Sequence, residues 1–383
     1  MKLLAKILPV FILFVAGTTA FAAERSVDDA VADAAVQKAL KDIDAARSVT
    51  EQLLVQIGGI ISPSGQEHER AEAVAAHMRK IGLTDVHVNE APNVIGKIKG
   101  RSGKAIIFVS TLDDLMTVAD HQRTIGHLPT IEGDRVVGPG TNTTSTTIAS
   151  LAAAKILIAN GFQPEHDIIF AGVAEEETGL RGMRHLYEEY KDVAIGFVDV
   201  LGDGHSITYG GIGINWWRIN ASGPAGHTLS GGIPNVNQAI GRAVDRILQI
   251  TEPQEFTDRR ARLNVAILNS GAVFNHKPAT GWFSLDVRSL DLEIIETMEA
   301  KVRKILSDIS SELGIALEME VVSNTPPGQI EGALQSPLVQ NAIGISNYLG
   351  YEPVLSNAGS ANLNISVAGG TPSIGLGGGP IRR

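Results

Sequence analysis

Acidic residues follow three apolar segments of the chain, at points where the strands of a buried sheet are expected to end. The three clusters are Asp113-Asp114, Glu175-Glu176-Glu177 and Asp199. In open α/β sheets, ligands bind outside the carboxyl ends of the strands. Carboxylates crowded at one edge repel one another unless they hold a cation or a proton, or face water. One acidic loop alone is often solvated surface, but three clusters together indicate a polar crevice associated with a metal.

The segments that would position these clusters have the pattern of an α/β fold. Apolar runs predict strands that are buried on both faces, and amphipathic or alanine-rich stretches predict helices between them. The strands are expected at 86–88, 94–98, 105–110, 167–173 and 196–200, and the helices at 27–56, 67–81 and 146–160. Strands that alternate with helices in this way predict a mixed, mostly parallel sheet flanked by helices.

The pattern changes near residue 214, where we predict an inserted α+β domain over residues 214–322. Its expected strands are 215–221, 262–268 and 281–287, and its expected helices are 235–250 and 292–313. The α/β pattern returns after Pro326-Pro327, with a helix at 336–349 and a strand at 372–376. We therefore predict one α/β domain, split into residues 23–213 and 323–383, with a second domain inserted into it.

Composition and charge limit the class of protein. The chain has 383 residues, 44% of them hydrophobic and 19% charged, a formal charge of −10 and no cysteine. These values are typical of a globular protein. The acidic balance argues against a nucleic-acid partner, because phosphate backbones are bound through Lys and Arg. The lack of cysteine excludes a thiol nucleophile, a thiolate zinc site and disulfide bonds.

The N-terminus has the pattern of a secretory signal. Two lysines precede an apolar run over residues 7–16, and the small-residue sequence Ala20-Phe21-Ala22 follows. The run is shorter than the roughly 20 apolar residues that a membrane-spanning helix needs. We predict that residues 1–22 are a signal peptide cleaved after Ala22, and that the mature protein is periplasmic or secreted and free of the membrane.

Several motifs resemble those of a known family. They are Gly138-Pro139-Gly140-Thr141-Asn142 before an alanine-rich helix, Glu176-Glu177-Thr178-Gly179-Leu180-Arg181-Gly182, and Gly223-Pro224-Ala225-Gly226-His227 ahead of Pro234-Asn235-Val236-Asn237. By this resemblance, which runs from about Glu51 onward, the chain is identified as a member of the dinuclear-zinc exopeptidases and amidohydrolases. That family includes aminoacylase, tripeptide aminopeptidase, glutamate carboxypeptidase and succinyl-diaminopimelate desuccinylase. The resemblance implies a zinc-exopeptidase-like fold, a homodimer formed through the inserted domain, and a peptide or N-acyl amino acid as substrate.

The resemblance also assigns roles to the acidic clusters. Glu176 matches the general base, Glu177 matches a ligand of one zinc, and Asp199 matches a ligand of the other. Asp113 matches the residue that orients a ligand histidine in the family.

Other ligand positions of the family hold different residues here. Thr111 stands where the family has the ligand histidine, and Thr143 stands where it has the carboxylate that bridges the two ions. The late histidine of the family does not occur before the last residue, Arg383. A catalytic zinc normally has three protein ligands. Zinc is therefore the cofactor expected from the family, and we expect a depleted metal site in this chain.

Three further residues match substrate-side positions of the family. His227 matches a histidine that reaches across the dimer and stabilises the developing oxyanion, and Asn275 and Arg288 match substrate-binding positions. The alternative for His227 is a turn residue that caps the segment after it.

Three functions remain open from the sequence. The first is an exported family member with impaired or absent catalysis that still binds a peptide or an N-acyl amino acid. The second is an active hydrolase with a mononuclear or metal-free site, in which Glu176 and Asp113 act as an acid/base pair. The third is a non-enzymatic dimeric protein in which only the inserted domain matters.

Overall fold

The computed structural model describes residues 26–202, 205–251 and 261–377, so the predicted signal peptide lies outside it. The chain divides into two compact units. One contains the residues up to Gly211 and those from Gln329 onward, and the other is Ile212–Gly328. The predicted insertion, 214–322, falls within the second unit. None of the helices in the described ranges has the length and apolar character needed to span a bilayer.

The first unit is built on an eight-stranded sheet. Its strands, labelled in chain order, are β1 (Thr84–Val88), β2 (Val94–Ile98), β3 (Ala105–Thr111), β6 (Asp167–Val173), β7 (Ala194–Val200), β8 (Ser206–Thr208), β16 (Val354–Ser356) and β17 (Ser373–Leu376). The spatial order is β1-β2-β6-β3-β7-β17-β8-β16. The four central strands, β6, β3, β7 and β17, pair in parallel, and so do β8 and β16. The pairs β1–β2, β2–β6 and β17–β8 are antiparallel. The predicted mixed, mostly parallel α/β sheet is confirmed.

Helices cover both faces of this sheet. They are α1 (Val27–Ala32), α2 (Ala34–Gly58), α3 (His68–Ile81), α4 (Met116–Ile125), α5 (Thr141–Ala159), α6 (Arg181–Tyr190), α9 (Pro337–Tyr348) and α10 (Leu363–Ala368), and a separate hairpin joins β4 (Thr130–Glu132) to β5 (Arg135–Val137). Ile106 and Phe108 of β3 pack in the larger core cluster with α2, α3, α5 and α9. Ile107 and Val109 pack in another cluster with α6 and α10. Because alternate residues of a strand face opposite sides, a strand covered on both sides is apolar throughout.

The register of the central strands brings their carboxyl ends to one edge. Thr111 of β3 pairs with Val173 of β6, and Val109 of β3 pairs with Asp199 of β7. The segments that follow β3 and β6 therefore begin next to the end of β7. This edge collects the three acidic clusters.

The second unit has an antiparallel sheet and two helices. Its strands are β9 (Gly213–Ser222), β10 (Gly226–His227), β11 (Arg262–Asn264), β12 (Leu268–Ser270), β13 (His276–Lys277), β14 (Thr280–Ser289) and β15 (Ala316–Thr325), and its helices are α7 (Val236–Leu248) and α8 (Leu292–Leu313). The order is β11-β14-β9-β15, with β12 also paired to β14, while β10 and β13 form a separate pair. Both helices contribute to one core cluster with the sheet, through residues such as Ala243 and Met298.

Two local predictions were wrong, and one strand was missed. The helix expected over 27–56 is two helices, because the side chain of Asp33 accepts the N–H of Ala35 and caps a new helix there. The strand expected over 262–268 is divided, because the Ser284 hydroxyl accepts the N–H groups of Ala266 and Ile267 in place of a continuous ladder. Strand β15 was not predicted, although Leu317 and Met319 alternate with Glu318 and Glu320 as an amphipathic strand requires.

Candidate functional site

Six of the predicted site residues lie together at the carboxyl edge of the first unit's sheet. They are Thr111, Asp113, Thr143, Glu176, Glu177 and Asp199. Thr143 belongs to the first turn of α5, which begins after Gly140. Gly140 has φ +82°, and a Cβ atom there would lie 2.3 Å from the carbonyl oxygen of Gly58. Glycine at position 140 therefore allows the chain to begin α5 in close contact with the end of α2.

Asp113 is fully buried and holds the acidic loop, which we define as Glu175–Glu177. Its Oδ1 accepts the N–H of Glu176 at 3.0 Å, and its Oδ2 accepts the N–H of Glu177 at 3.1 Å. The hydroxyl of Ser64 also donates to Oδ2, at 2.6 Å. Both carboxylate oxygens thus accept hydrogen bonds from the protein. Asp113 therefore orients the backbone of the acidic loop, whereas the family pattern implies that it orients a ligand histidine.

Asp114 is neutralised by a buried arginine. The Nη2 atom of Arg70 lies 2.7 Å from Oδ2 of Asp114, and both side chains are almost completely buried. The same guanidinium donates to the carbonyl oxygens of Leu112 and Ile60, at 2.7 and 2.5 Å. On its other oxygen Asp114 accepts the hydroxyl of Thr143 at 2.5 Å. The residue at the expected zinc-bridging position therefore donates a hydrogen bond to an ion pair within the protein.

Asp199 is also held by protein donors. Its Oδ2 accepts the N–H of Leu363 at 3.0 Å, and Asn362 donates to its Oδ1 at 3.4 Å. The Asn362 amide lies at the same distance, 3.4 Å, from the hydroxyl of Thr111. Burial raises the pKa of Asp199 to about 7, against the opposing effect of these hydrogen bonds. This carboxyl therefore retains its proton to a higher pH than an exposed aspartate does.

The two glutamates of the acidic loop have raised pKa values as well. Burial, together with the charges of Glu177 and Asp199, raises the pKa of Glu176 well above its ordinary value. Burial and the charges of Asp113 and Asp114 raise the pKa of Glu177. Each carboxylate is thus disfavoured by the others, as expected where like charges share a poorly solvated edge.

The remaining predicted residues belong to the second unit. The Nδ1 atom of His227 accepts the N–H of Leu229 at 3.1 Å and so caps the short turn after it, and its Nε2 lies 3.0 Å from the amide of Asn275. The guanidinium of Arg288 is held by Asp286 on the same strand, with contacts of 3.0 and 3.1 Å. The capping role that the sequence left open for His227 is present, and its role towards a substrate stays a prediction.

Sequence reasoning missed several residues that organise the site. Glu67 is the N-cap of α3 and Arg70 lies in its first turn; they precede the core residues Ala71 and Val74 by four residues each, and both are fully buried. Charged residues at core positions of an amphipathic helix need partners inside the protein. The sequence alone shows that these two charged residues stand at such positions. The partners themselves were not predictable, because Arg70 and Asp114 are 44 residues apart in the chain.

The residues at the expected zinc positions do not fit a dinuclear centre. Thr111 and Thr143 offer neutral hydroxyls, and the Thr143 hydroxyl already donates to Asp114. Within the described ranges no three His, Asp or Glu side chains are grouped so that they could hold a metal ion. A structural or catalytic zinc needs three or four such ligands. We therefore derive no chemical step through a metal.

Comparison with known proteins places this site in context. The model of peptidase family M20/M25/M40 matches residues 115–378. Carboxypeptidase G2 of Pseudomonas sp. strain RS-16 is 27% identical over 224 residues, which is 56% of this chain and 52% of that protein, so the match spans about half the length of that relative. Succinyl-diaminopimelate desuccinylase of Corynebacterium glutamicum is 23% identical over 341 residues, 86% of this chain and 88% of that one.

A solved structure shows the same fold. A dinuclear metal-binding peptidase of the M20 family from Bacillus subtilis superposes with a TM-score of 0.60 at 15% identity, covering 87% of this chain and 89% of that one. At this level of identity the likeness concerns the fold alone.

The Arg70–Asp114 pair predicts a stability effect. Substituting Arg70→Met keeps the volume but leaves Asp114 buried without its cation, and we expect the free energy of unfolding to fall by about 3–5 kcal/mol. The double variant Arg70→Met/Asp114→Asn removes the unpaired charge and should recover part of this loss. Urea unfolding of the three proteins measures both effects. A loss below about 1 kcal/mol in the single variant would show that the pair is not needed.

The raised pKa of Asp199 predicts a pH dependence. Between its ordinary value of 3.8 and about 7, the folded protein retains a proton that the unfolded chain releases. The stability from this proton is complete below about pH 4 and is lost as the pH rises towards 7. In metal-free buffer, the free energy of unfolding of Asp199→Asn should therefore increase relative to that of wild type as the pH rises. Exposed Asp134→Asn serves as the control, and a constant difference between Asp199→Asn and wild type would contradict the assignment.

Proposed function

The chain belongs to peptidase family M20/M25/M40, and we propose that it uses the family's fold to bind a peptide or an N-acyl amino acid without the two-zinc chemistry of an active peptidase. The contact between Thr143 and Asp114 carries this proposal. At the position where the family pattern implies a bridging carboxylate, this chain has a neutral hydroxyl that donates to a carboxylate already paired with Arg70. A metal ion that could activate water at this position would lack its protein ligands.

The crevice retains features that suit a ligand with N–H groups. Glu176 and Glu177 are half-buried residues, whereas Asp113 and Asp114 are buried. Carboxylates accept hydrogen bonds strongly, above all from charged donors. An amide or ammonium group of a peptide would also offset the mutual repulsion that raises the pKa of Glu176. The amide N–H groups of the proposed ligand class therefore suit the hydrogen-bond acceptors of the site.

A second candidate function has one observation in its favour. A carboxyl whose pKa is raised well above its ordinary value, as for Glu176, is suited to general acid–base catalysis near neutral pH. The chain would then be a metal-free hydrolase in which Glu176 transfers the proton. The fully buried Asp113, with both oxygens accepting hydrogen bonds, would orient the loop.

Metal content and turnover separate these candidates. The purified mature protein is dialysed against excess zinc and then against metal-free buffer, and zinc per chain is counted by mass spectrometry. We expect well below one zinc per chain, with the dinuclear Bacillus subtilis peptidase as the positive control. Calorimetric titration with succinyl-diaminopimelate and with a neutral tripeptide should detect binding of at least one, and chromatography should find neither cleaved.

The outcomes of this experiment are distinct. Two zinc ions per chain with cleavage of a probe would contradict the depleted site. Cleavage that persists in chelator and disappears in Glu176→Gln would favour the metal-free hydrolase. Absence of zinc, binding and cleavage together would contradict both candidates and leave the non-enzymatic scaffold.

We also propose that the protein is exported and works as a homodimer through the domain 214–322. The N-terminal pattern of residues 1–22 supports export. The resemblance of this chain to the family supports the dimer. Native mass spectrometry of the protein from an exporting bacterial host tests both points. We expect a complex of two chains, each beginning at Ala23. An uncleaved chain would contradict export, and a single chain at micromolar concentration would contradict the dimer.

A further inference from the structure

Three successive backbone amides of the acidic loop donate to two buried carboxylates. Those of Glu176 and Glu177 donate to Asp113, as described above. The N–H of Glu175 donates to Oε1 of Glu67 at 3.1 Å. Glu67 is 108 residues away along the chain and is absent from the site that the sequence predicts. The loop backbone is therefore held from two sides.

Glu67 and Asp113 are joined through one short turn. Oε1 of Glu67 also accepts the N–H of Gly65 at 2.7 Å, and the neighbouring Ser64 donates its hydroxyl to Asp113. The Glu67 side chain has no exposed surface, and its Oε2 has no hydrogen-bond partner within the described residues. A buried carboxylate with one free oxygen is costly, so its retention at this position needs a reason.

The acidic loop has a conformation that needs such support. Glu175 has φ +52° and Leu180 has φ +59°, and apart from Asp85 these are the non-glycine residues with positive φ among those the structure describes. The N–H of Leu180 closes the turn by donating to the carbonyl of Glu175 at 2.8 Å. Left-handed backbone is unfavourable for a residue with a Cβ atom and persists where surrounding contacts fix it.

We propose that Glu67 is a positioning residue for the acidic loop, whose buried carboxylate fixes the left-handed backbone of Glu175 and thereby places Glu176 and Glu177 at the crevice. It acts with Asp113 through the Ser64-Gly65 turn. This role concerns the backbone, so it is independent of whether the crevice binds its ligand or hydrolyses it.

Amide hydrogen exchange tests this role residue by residue. In Glu67→Met the side chain keeps its volume but has no acceptor, and in Glu67→Asp it keeps its charge but is one methylene shorter. Both should raise the exchange rate of the Glu175 amide about tenfold, the factor expected for one lost hydrogen bond. Glu67→Gln keeps an acceptor oxygen and should keep the Glu175 amide protected.

Gln122→Met is the matched control, because Gln122 is another buried polar residue of this unit whose Oε1 also lacks a partner in the part of the chain that the structure describes. Its amide donates to Gly58 and Pro139, away from the acidic loop. Rates are compared at equal global stability, adjusted with urea. If the Glu175 amide is then equally protected from exchange in Glu67→Met and in Gln122→Met, Glu67 affects only the overall stability of the protein and the inference is overturned. Loss of protection in Glu67→Gln as large as in Glu67→Met overturns it too.

Discussion

The need to give every buried carboxylate a donor shapes the carboxyl edge of the central sheet. Asp113 and Asp114, directly after β3, and Asp199, in β7, have almost no exposed surface. Each is satisfied from inside the protein: Asp113 by amides of the acidic loop, Asp114 by Arg70 and Thr143, and Asp199 by the backbone of α10. An isolated ionised group at such a depth would cost far more than a domain's net stability allows. The donors therefore determine where the loops around the site lie.

The central strands of the first unit were predictable from the sequence because they are buried on both faces. The runs at 94–98 and 167–173 are mostly apolar, with Lys97 and Asp167 as their charged residues, and their predicted bounds agree with β2 and β6. The carboxyl-edge position of the acidic clusters followed from the rule that parallel strands end at one edge. Prediction failed where side chains replace the regular pattern. Ser284 interrupts the ladder at residues 266 and 267. The hydrophobic periodicity of a sequence does not indicate that a hydroxyl will accept these N–H groups in place of a backbone carbonyl.

The candidate site was predictable only in part, for a related reason. The acidic residues could be found because they are local clusters, whereas the residues that hold them are distant in sequence. Glu67 and Arg70 reach Glu175 and Asp114 across 108 and 44 residues. Family resemblance identifies the positions that carry chemistry in relatives, but it does not predict what a substituted position contacts. The Thr143 hydroxyl bond to Asp114 became visible only from the folded chain.

Membership of a metallopeptidase family is compatible with the proposed lack of a metal centre, because apolar side chains form the core of the sheet. The core clusters on both faces of the sheet are formed by aliphatic and aromatic side chains of strands and helices. What the metals would have supplied locally is positive charge among carboxylates. Here Arg70 supplies it permanently to Asp114, while protonation of Asp199 reduces the charge that remains. The same edge can thus be stable without metal, and its function must be argued from the donors and acceptors that it presents.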